Sequence, residues 1–132
     1  MEKWKREDEP FHEIHSFPNI LKKVKSQAIT TIIGGPGSGK TAMARHLALR
    51  LQRDEEFEIV PVEEIKEIKQ YGQLTCKQLF IHDDVTGILG VEFINLTTLD
   101  RYKERILEVL GEDSKILFTC RLAEYNLSLI HI

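Results

Sequence analysis

The chain's 132 residues are 42% hydrophobic and 30% charged, with a net charge of −3 and a pI near 6.0. That length allows one domain with a modest core, and the charge balance argues against a nucleic-acid or anionic-membrane surface. No apolar run approaches the roughly 20 residues that span a bilayer. The N-terminal MEKWKREDEP lacks a secretory hydrophobic region, and Cys76 and Cys120 stand in no paired spacing, which fits reduced thiols in a cytoplasmic protein.

Residues 1–10 are mostly charged and end in Pro10, the composition of a linker, with Trp4 a lone aromatic among charges. Phe11 to Phe17 holds His12 and His15, three apart but with no further ligand at a metal-site spacing. A short helix is expected over 20–26, capped by Ser16 or Asn19, with Leu21 and Val24 inward and the LKKVK cluster as a solvated face. Residues 28–33 are β-branched and almost continuously apolar, which suits a buried parallel strand.

The next helix should run over 40–53, with Ala42, Met43, Leu47 and Leu51 on a wide core-facing stripe. A strand follows over 57–62, with Pro61 near its end. A short helix over 63–71 has Ile65 and Ile68 on one side and Gly72 as its stop. A third strand is expected over 78–83, then a turn-like stretch with Gly87 and Gly90. An amphipathic helix over 99–110 carries Leu99, Tyr102, Ile106, Val109 and Leu110 on one face, and a fourth strand occupies 115–119. Strands alternating with helices imply a parallel sheet covered on both faces.

Between the first strand and its helix lies GGPGSGKT, Gly34 to Thr41, the Gly-x-x-x-x-Gly-Lys-Thr phosphate-binding pattern in its strand–loop–helix setting. Gly34, Gly35, Gly37 and Gly39, with Pro36 and Ser38 between them, let backbone N–H groups turn inward toward a polyphosphate. The helix N-terminus, through Lys40, Thr41 and Ala42, adds unpaired N–H groups and the positive end of its dipole. Lys40 would set a charge against the β- and γ-phosphates, and the Thr41 hydroxyl would ligate Mg²⁺.

The third strand ends in LFIHDD. A mostly apolar strand that delivers an acid to the C-terminal sheet edge is the Walker B arrangement. Asp83 is then the Mg²⁺ partner, and Asp84 is placed to orient or deprotonate an attacking water. His82 is expected to face a helix layer as a buried, satisfied histidine. The fourth strand ends in Thr119-Cys120-Arg121. Arg121 either senses the γ-phosphate, through a charge-assisted contact present only with that phosphate, or caps the strand and faces solvent.

GGPGSGKTAMARHLAL, LFIHDDV and KILFTCR, taken in that order, resemble the STAND class of signalling NTPases, and among them the third novel STAND family of animal proteins. The resemblance covers about 11–122. It implies a three-layer α/β P-loop fold of the additional-strand type, whose mainly parallel sheet places the sensor strand between the loop strand and the acid strand. It also implies a sensor role for Arg121, with Thr119 beside it, and a double aspartate at Asp83-Asp84. Proteins of this class look like ATP-dependent switches with slow hydrolysis, often in innate-immune or cell-death signalling, and they carry effector and repeat domains or self-assemble.

Related domains continue into a further helix and a fifth strand, so the fold is expected to be incomplete at its C-terminus. The division expected is a linker over 1–10, the core over 11–122 and a truncated or non-native tail over 123–132. LSLIHI is strand-like, but a parallel crossover of about a dozen residues does not fit before it. It should therefore return as an antiparallel hairpin or stay unpaired, and leave the loop strand at a sheet edge. No guanine-selecting Asn-Lys-x-Asp is present, which favours ATP. The alternatives to a switch are a small-molecule kinase, for which Arg101 and Arg105 are the one candidate lid pair, and a module that binds nucleotide without turnover.

Overall fold

The computed structural model describes residues 17–34, 37–73 and 76–122, together with the backbone of 130–131. Trp4, the expected linker, His12, His15 and the candidate cap Ser16 lie outside the described residues, as do Gly35 and Pro36 of the loop.

Helix α1 spans Phe17–Ser26, beginning before the expected Ile20. Pro18 is tolerated there because first-turn N–H groups have no intrahelical acceptor. Asn19 consequently lies inside the first turn rather than at the cap. Ile20, Leu21 and Val24 are buried, as the spacing requires. Strand β1 (Ile29–Ile33) leads through the loop to helix α2 (Lys40–Glu55), and β2 (Glu58–Pro61) and α3 (Ile65–Tyr71) follow.

Gly72 ends α3 in an extended conformation. Glycine is needed there for space, since a Cβ would meet the Ile68 carbonyl oxygen at 2.9 Å. Strand β3 (Gln78–His82) precedes a four-residue helix, α4 (Val85–Ile88), where a turn was expected. Asp84 makes the difference, because its carboxylate accepts the Gly87 N–H and caps that turn of helix. Helix α5 (Leu96–Val109) is capped in the same way by Asn95 onto Thr98 N–H, 2.8 Å, and β4 (Lys115–Cys120) closes the series before the two-residue β5 (Ile130–His131).

All five strands are parallel, in the order β2-β3-β4-β1-β5. Strand β4 thus lies between the loop strand β1 and the acid strand β3, the placement that the additional-strand fold demands. Side chains alternate across the sheet. Ile32, Leu79 and Leu117 pack with α1 and α2 residues such as Val24 and Leu47. Phe80, Ile116 and Phe118 pack with Ile68 of α3 and Tyr102 and Ile106 of α5. None of the described helices is long and apolar enough to cross a membrane.

The expected antiparallel or unpaired return of LSLIHI is not what forms. Ile130 pairs in parallel with Ile32, and His131 with Ile33. The dozen-residue rule assumes a return along a whole strand. Cys120 already sits opposite Ile33 and Ile130 opposite Ile32, so the return is offset by only one residue pair. Strand β1 is consequently flanked on both sides at its C-terminal end.

Candidate functional site

The register brings the chemistry to one sheet edge. His82, the last residue of β3, pairs with Phe118, so Asp83 leaves the sheet level with Thr119, while Ile33 and Cys120 end side by side. In an open parallel sheet this C-terminal edge is where loops can form a site. Gly34 prolongs the ladder, its N–H donating to the Cys120 carbonyl at 3.3 Å. That N–H belongs to the strand ladder and not to an inward cradle.

Gly37 and Gly39 both adopt the left-handed region, φ 75° and 90°. A Cβ would meet nothing within 4 Å at either position, so the need for glycine is conformational. Between them Ser38 holds a buried hydroxyl with no hydrogen-bond partner among the described residues. Gly39 is the N-cap of α2 and supplies no side chain to cap it. The first intrahelical bond, Met43 N–H to Gly39 C=O at 2.9 Å, leaves the N–H groups of Lys40, Thr41 and Ala42 directed out of the helix end. An uncapped N-terminus, a positive dipole end and an unsatisfied hydroxyl together suit an anion.

Thr41 Oγ1 lies 3.1 Å from each oxygen of Asp83. The buried Thr119 hydroxyl donates to Asp83 Oδ1 and accepts the Asp84 N–H at 2.7 Å. Strand β4 therefore holds both acids through one hydroxyl. Asp84 takes a left-handed conformation, φ 53° and ψ 56°, which turns its carboxylate away from Asp83 and toward Gly87 N–H, 3.2 Å. Arg121 Nη2 lies 3.8 Å from Asp84 Oδ1. Thus Lys40, Thr41, Asp83, Asp84, Thr119 and Arg121 share this edge, and the Arg121 guanidinium lies beside Asp84 rather than in open solvent.

Two neighbouring groups are tuned by burial. Desolvation pushes the Cys120 thiol up to about 12, against the pull of Lys103 and Lys40. Desolvation also lowers His82, which outweighs the opposing influence of the Val62 backbone, Glu67 and Asp83. The His82 ring is fully buried, bonded through Nε2 to the Tyr102 hydroxyl and stacked on that ring at 5.6 Å. It is a core histidine of the α3–α5 side, as its place in the strand suggested. Its Nδ1 lies toward the Val62 backbone without an aligned hydrogen bond.

Sequence reasoning missed Thr86, whose buried hydroxyl accepts the Arg121 N–H at 2.7 Å. The Asp84-Val85-Thr86-Gly87 stretch carries a signal for it, an Asp N-cap pattern announcing a helical turn. Also unforeseen is a cavity of about 840 Å³ beside Thr41 and Asp83, with an apolar floor including Ile59 and Ile81 and a rim that includes Arg45, Glu63 and Tyr71.

Residues 11–128 match the family described as Novel STAND NTPase 3. No curated protein and no solved structure matches the chain.

Proposed function

The chain belongs to the Novel STAND NTPase 3 family of nucleotide-binding regulatory modules, and we propose that it binds ATP with Mg²⁺ and switches with the state of the terminal phosphate. The observation that carries this reading is the Thr41 hydroxyl 3.1 Å from both Asp83 oxygens, at the uncapped N-terminus of α2 and beside two left-handed glycines. Hydroxyl and carboxylate are the hard oxygen donors that Mg²⁺ takes, with water filling the remaining positions.

Residues 11–122 hold every proposed contact, with 1–10 as a charged linker. Gly34 to Ala42, including Gly35 and Pro36, form the phosphate loop. Lys40 sets its ammonium group against the terminal phosphates, and Thr41 and Asp83 hold the ion. When bound, Mg²⁺ supplies positive charge that offsets the charge on the phosphate oxygens.

Asp84 orients the attacking water. Among the described residues, the carboxylate's hydrogen bond and its ion pair both fall on Oδ1, and Oδ2 is the oxygen that would accept from that water. Arg121 reads the terminal phosphate, a role supported by its place beside Asp84 at the same sheet edge. Hydrolysis is slow, and the nucleotide's state governs contacts with other domains or other copies in a cytoplasmic signalling protein.

A second reading, transfer of the terminal phosphoryl group to a small acceptor, is favoured by the cavity that adjoins Thr41 and Asp83. Arg101 and Arg105 do not support it, since both are exposed on α5 and neither lines that cavity.

Calorimetric titration with ATP, with and without Mg²⁺, tests the principal reading. Binding that strengthens with Mg²⁺ and weakens by roughly tenfold or more in Lys40→Ala is the expected result. Equal affinity in Lys40→Ala and wild type would overturn it.

A further inference from the structure

Arg121 is held on three sides by residues 84–94, the second acid and the segment that follows it. Its N–H donates to the Thr86 hydroxyl at 2.7 Å. Its carbonyl accepts the Ile94 N–H at 2.9 Å, and Ile94 and Leu122 form a parallel bridge just beyond. Its guanidinium lies 3.8 Å from Asp84 Oδ1. Within the segment, Asp84 caps α4 through Gly87, and Val91 N–H returns to the Thr86 carbonyl at 3.1 Å. Residues 84–94 are therefore a loop closed on a single residue.

The loop is ordered by these polar ties more than by burial along its middle. Ile88, Leu89, Val91 and Phe93 are 42–49% exposed, although Val85, Thr86 and Ile94 at its two ends are buried. A segment with anchored ends and an exposed apolar middle is among the cheapest parts of a fold to rearrange.

The Asp84–Arg121 contact is itself loose, longer than a hydrogen bond. A terminal phosphate offers the guanidinium more negative charge and better acceptors than one half-exposed carboxylate, whereas a diphosphate lacks that group. Arg121 thus has two possible partners, and its backbone is tied to the loop whichever it takes. The tie on its N–H side is the Thr86 hydroxyl, which is fully buried and has no solvent to replace it.

We infer that Thr86 is a positioning residue that couples the nucleotide held at the phosphate loop to the segment 85–94, whose apolar middle is exposed, through Arg121. The inference rests on the nucleotide reading of the site given above. Drawing Arg121 toward a terminal phosphate pulls on α4 through Thr86 and rearranges Ile88 to Phe93. With a diphosphate the arginine stays against Asp84 and the loop keeps the arrangement seen here.

Hydrogen–deuterium exchange resolved by peptide, with ADP–Mg²⁺ and with a non-hydrolysable ATP analogue–Mg²⁺, tests the coupling. Both nucleotides should protect 37–42. Exchange over 85–94 should differ between them by roughly tenfold in wild type and in Thr86→Ser, and should no longer differ in Thr86→Val. Should Thr86→Val fail to give a cooperative melt, Thr86→Ala takes its place, and wild type alone still decides whether coupling exists. Protection of 37–42 with identical exchange over 85–94 in wild type would overturn the coupling while leaving the nucleotide site intact. A full wild-type difference in the hydroxyl-free variant would overturn the role of Thr86. Absence of protection at 37–42 with either nucleotide would refute the nucleotide reading and this inference with it.

Discussion

Thr119→Val isolates the hydroxyl that joins the sensor strand to the acid pair. Valine keeps the shape and the β-branched preference for a strand, so no cavity opens and only hydrogen bonds change. Thr119 is fully buried. The variant leaves the Asp84 N–H, now 2.7 Å from the hydroxyl, without an acceptor, and it removes one of the two hydroxyl donors to Asp83. Asp83 retains Thr41, so the orphaned Asp84 N–H dominates the loss.

A fully buried donor left without a partner costs about 1–3 kcal/mol, and the part-buried bond from Asp84 places this loss at the low end. Taking about 1 kcal/mol, and about 4 °C per kcal/mol for a domain of this size, the melting temperature should fall by roughly 4 °C. Thr119→Ser should recover most of it, since serine supplies the same donor and acceptor. Thermal melts followed by circular dichroism, in the absence of nucleotide, measure both variants. A Thr119→Val protein that melts within about 2 °C of wild type would refute the argument that this hydroxyl holds the edge together.

Lys40→Ala should weaken binding of a fluorescent ATP analogue roughly ten- to a hundredfold, as expected for a charged contact of about 1.5–3 kcal/mol. Asp84→Asn should bind ATP normally yet lose hydrolysis in a phosphate-release assay; loss of binding would show that the two acids have other roles. Arg121→Ala should bind ATP and ADP with more nearly equal affinity, measured by competition. Cys120 should stay unreactive toward a thiol reagent at pH 8 because burial raises its thiol to about 12, so only Cys76 should be modified until denaturant is added. Burial holds the His82 imidazole below its ordinary 6.5; its contribution is thus complete above pH 6.5 and declines as pH falls below it, where the unfolded chain binds the proton more readily. Denaturant titrations at several pH values should show that decline in wild type and a flatter profile in His82→Gln.

The parts of this fold legible in the sequence were those encoded by local periodicity. The β-branched run of 28–33 and the apolar stripe on 40–53 each carry their pattern within one element, and neighbouring strands only confirm it. The loop was legible for a related reason. Its glycines answer a backbone need, and Gly37 and Gly39 do adopt the left-handed region that motivates them. What stayed hidden depends on residues far apart in the chain. The Asp84 cap announces a turn around Thr86, and Thr119 stands beside Arg121 in the sequence, but neither pattern says that the hydroxyl is aimed at a backbone amide 35 residues away. The fifth strand was misjudged because the length of a crossover was taken from the general case, while the one-residue offset that shortens it is a property of register.

The acid pair shows how the two kinds of information combine. Asp83 and Asp84 are adjacent and identical, so sequence alone gives no physical reason for them to differ. The reason is a backbone torsion. Asp83 continues out of β3 and meets Thr41 of α2, whereas Asp84 turns into the left-handed region at φ 53°, a conformation Asp tolerates better than most residues. That turn sends its carboxylate to Gly87 and Arg121 and its N–H to Thr119. One acid is thereby fixed to the helix that begins at the phosphate loop, and its twin to the segment bearing the exposed apolar residues. The separate roles proposed for the two acids rest on that division, and so does the proposed path from one end of the site to the other.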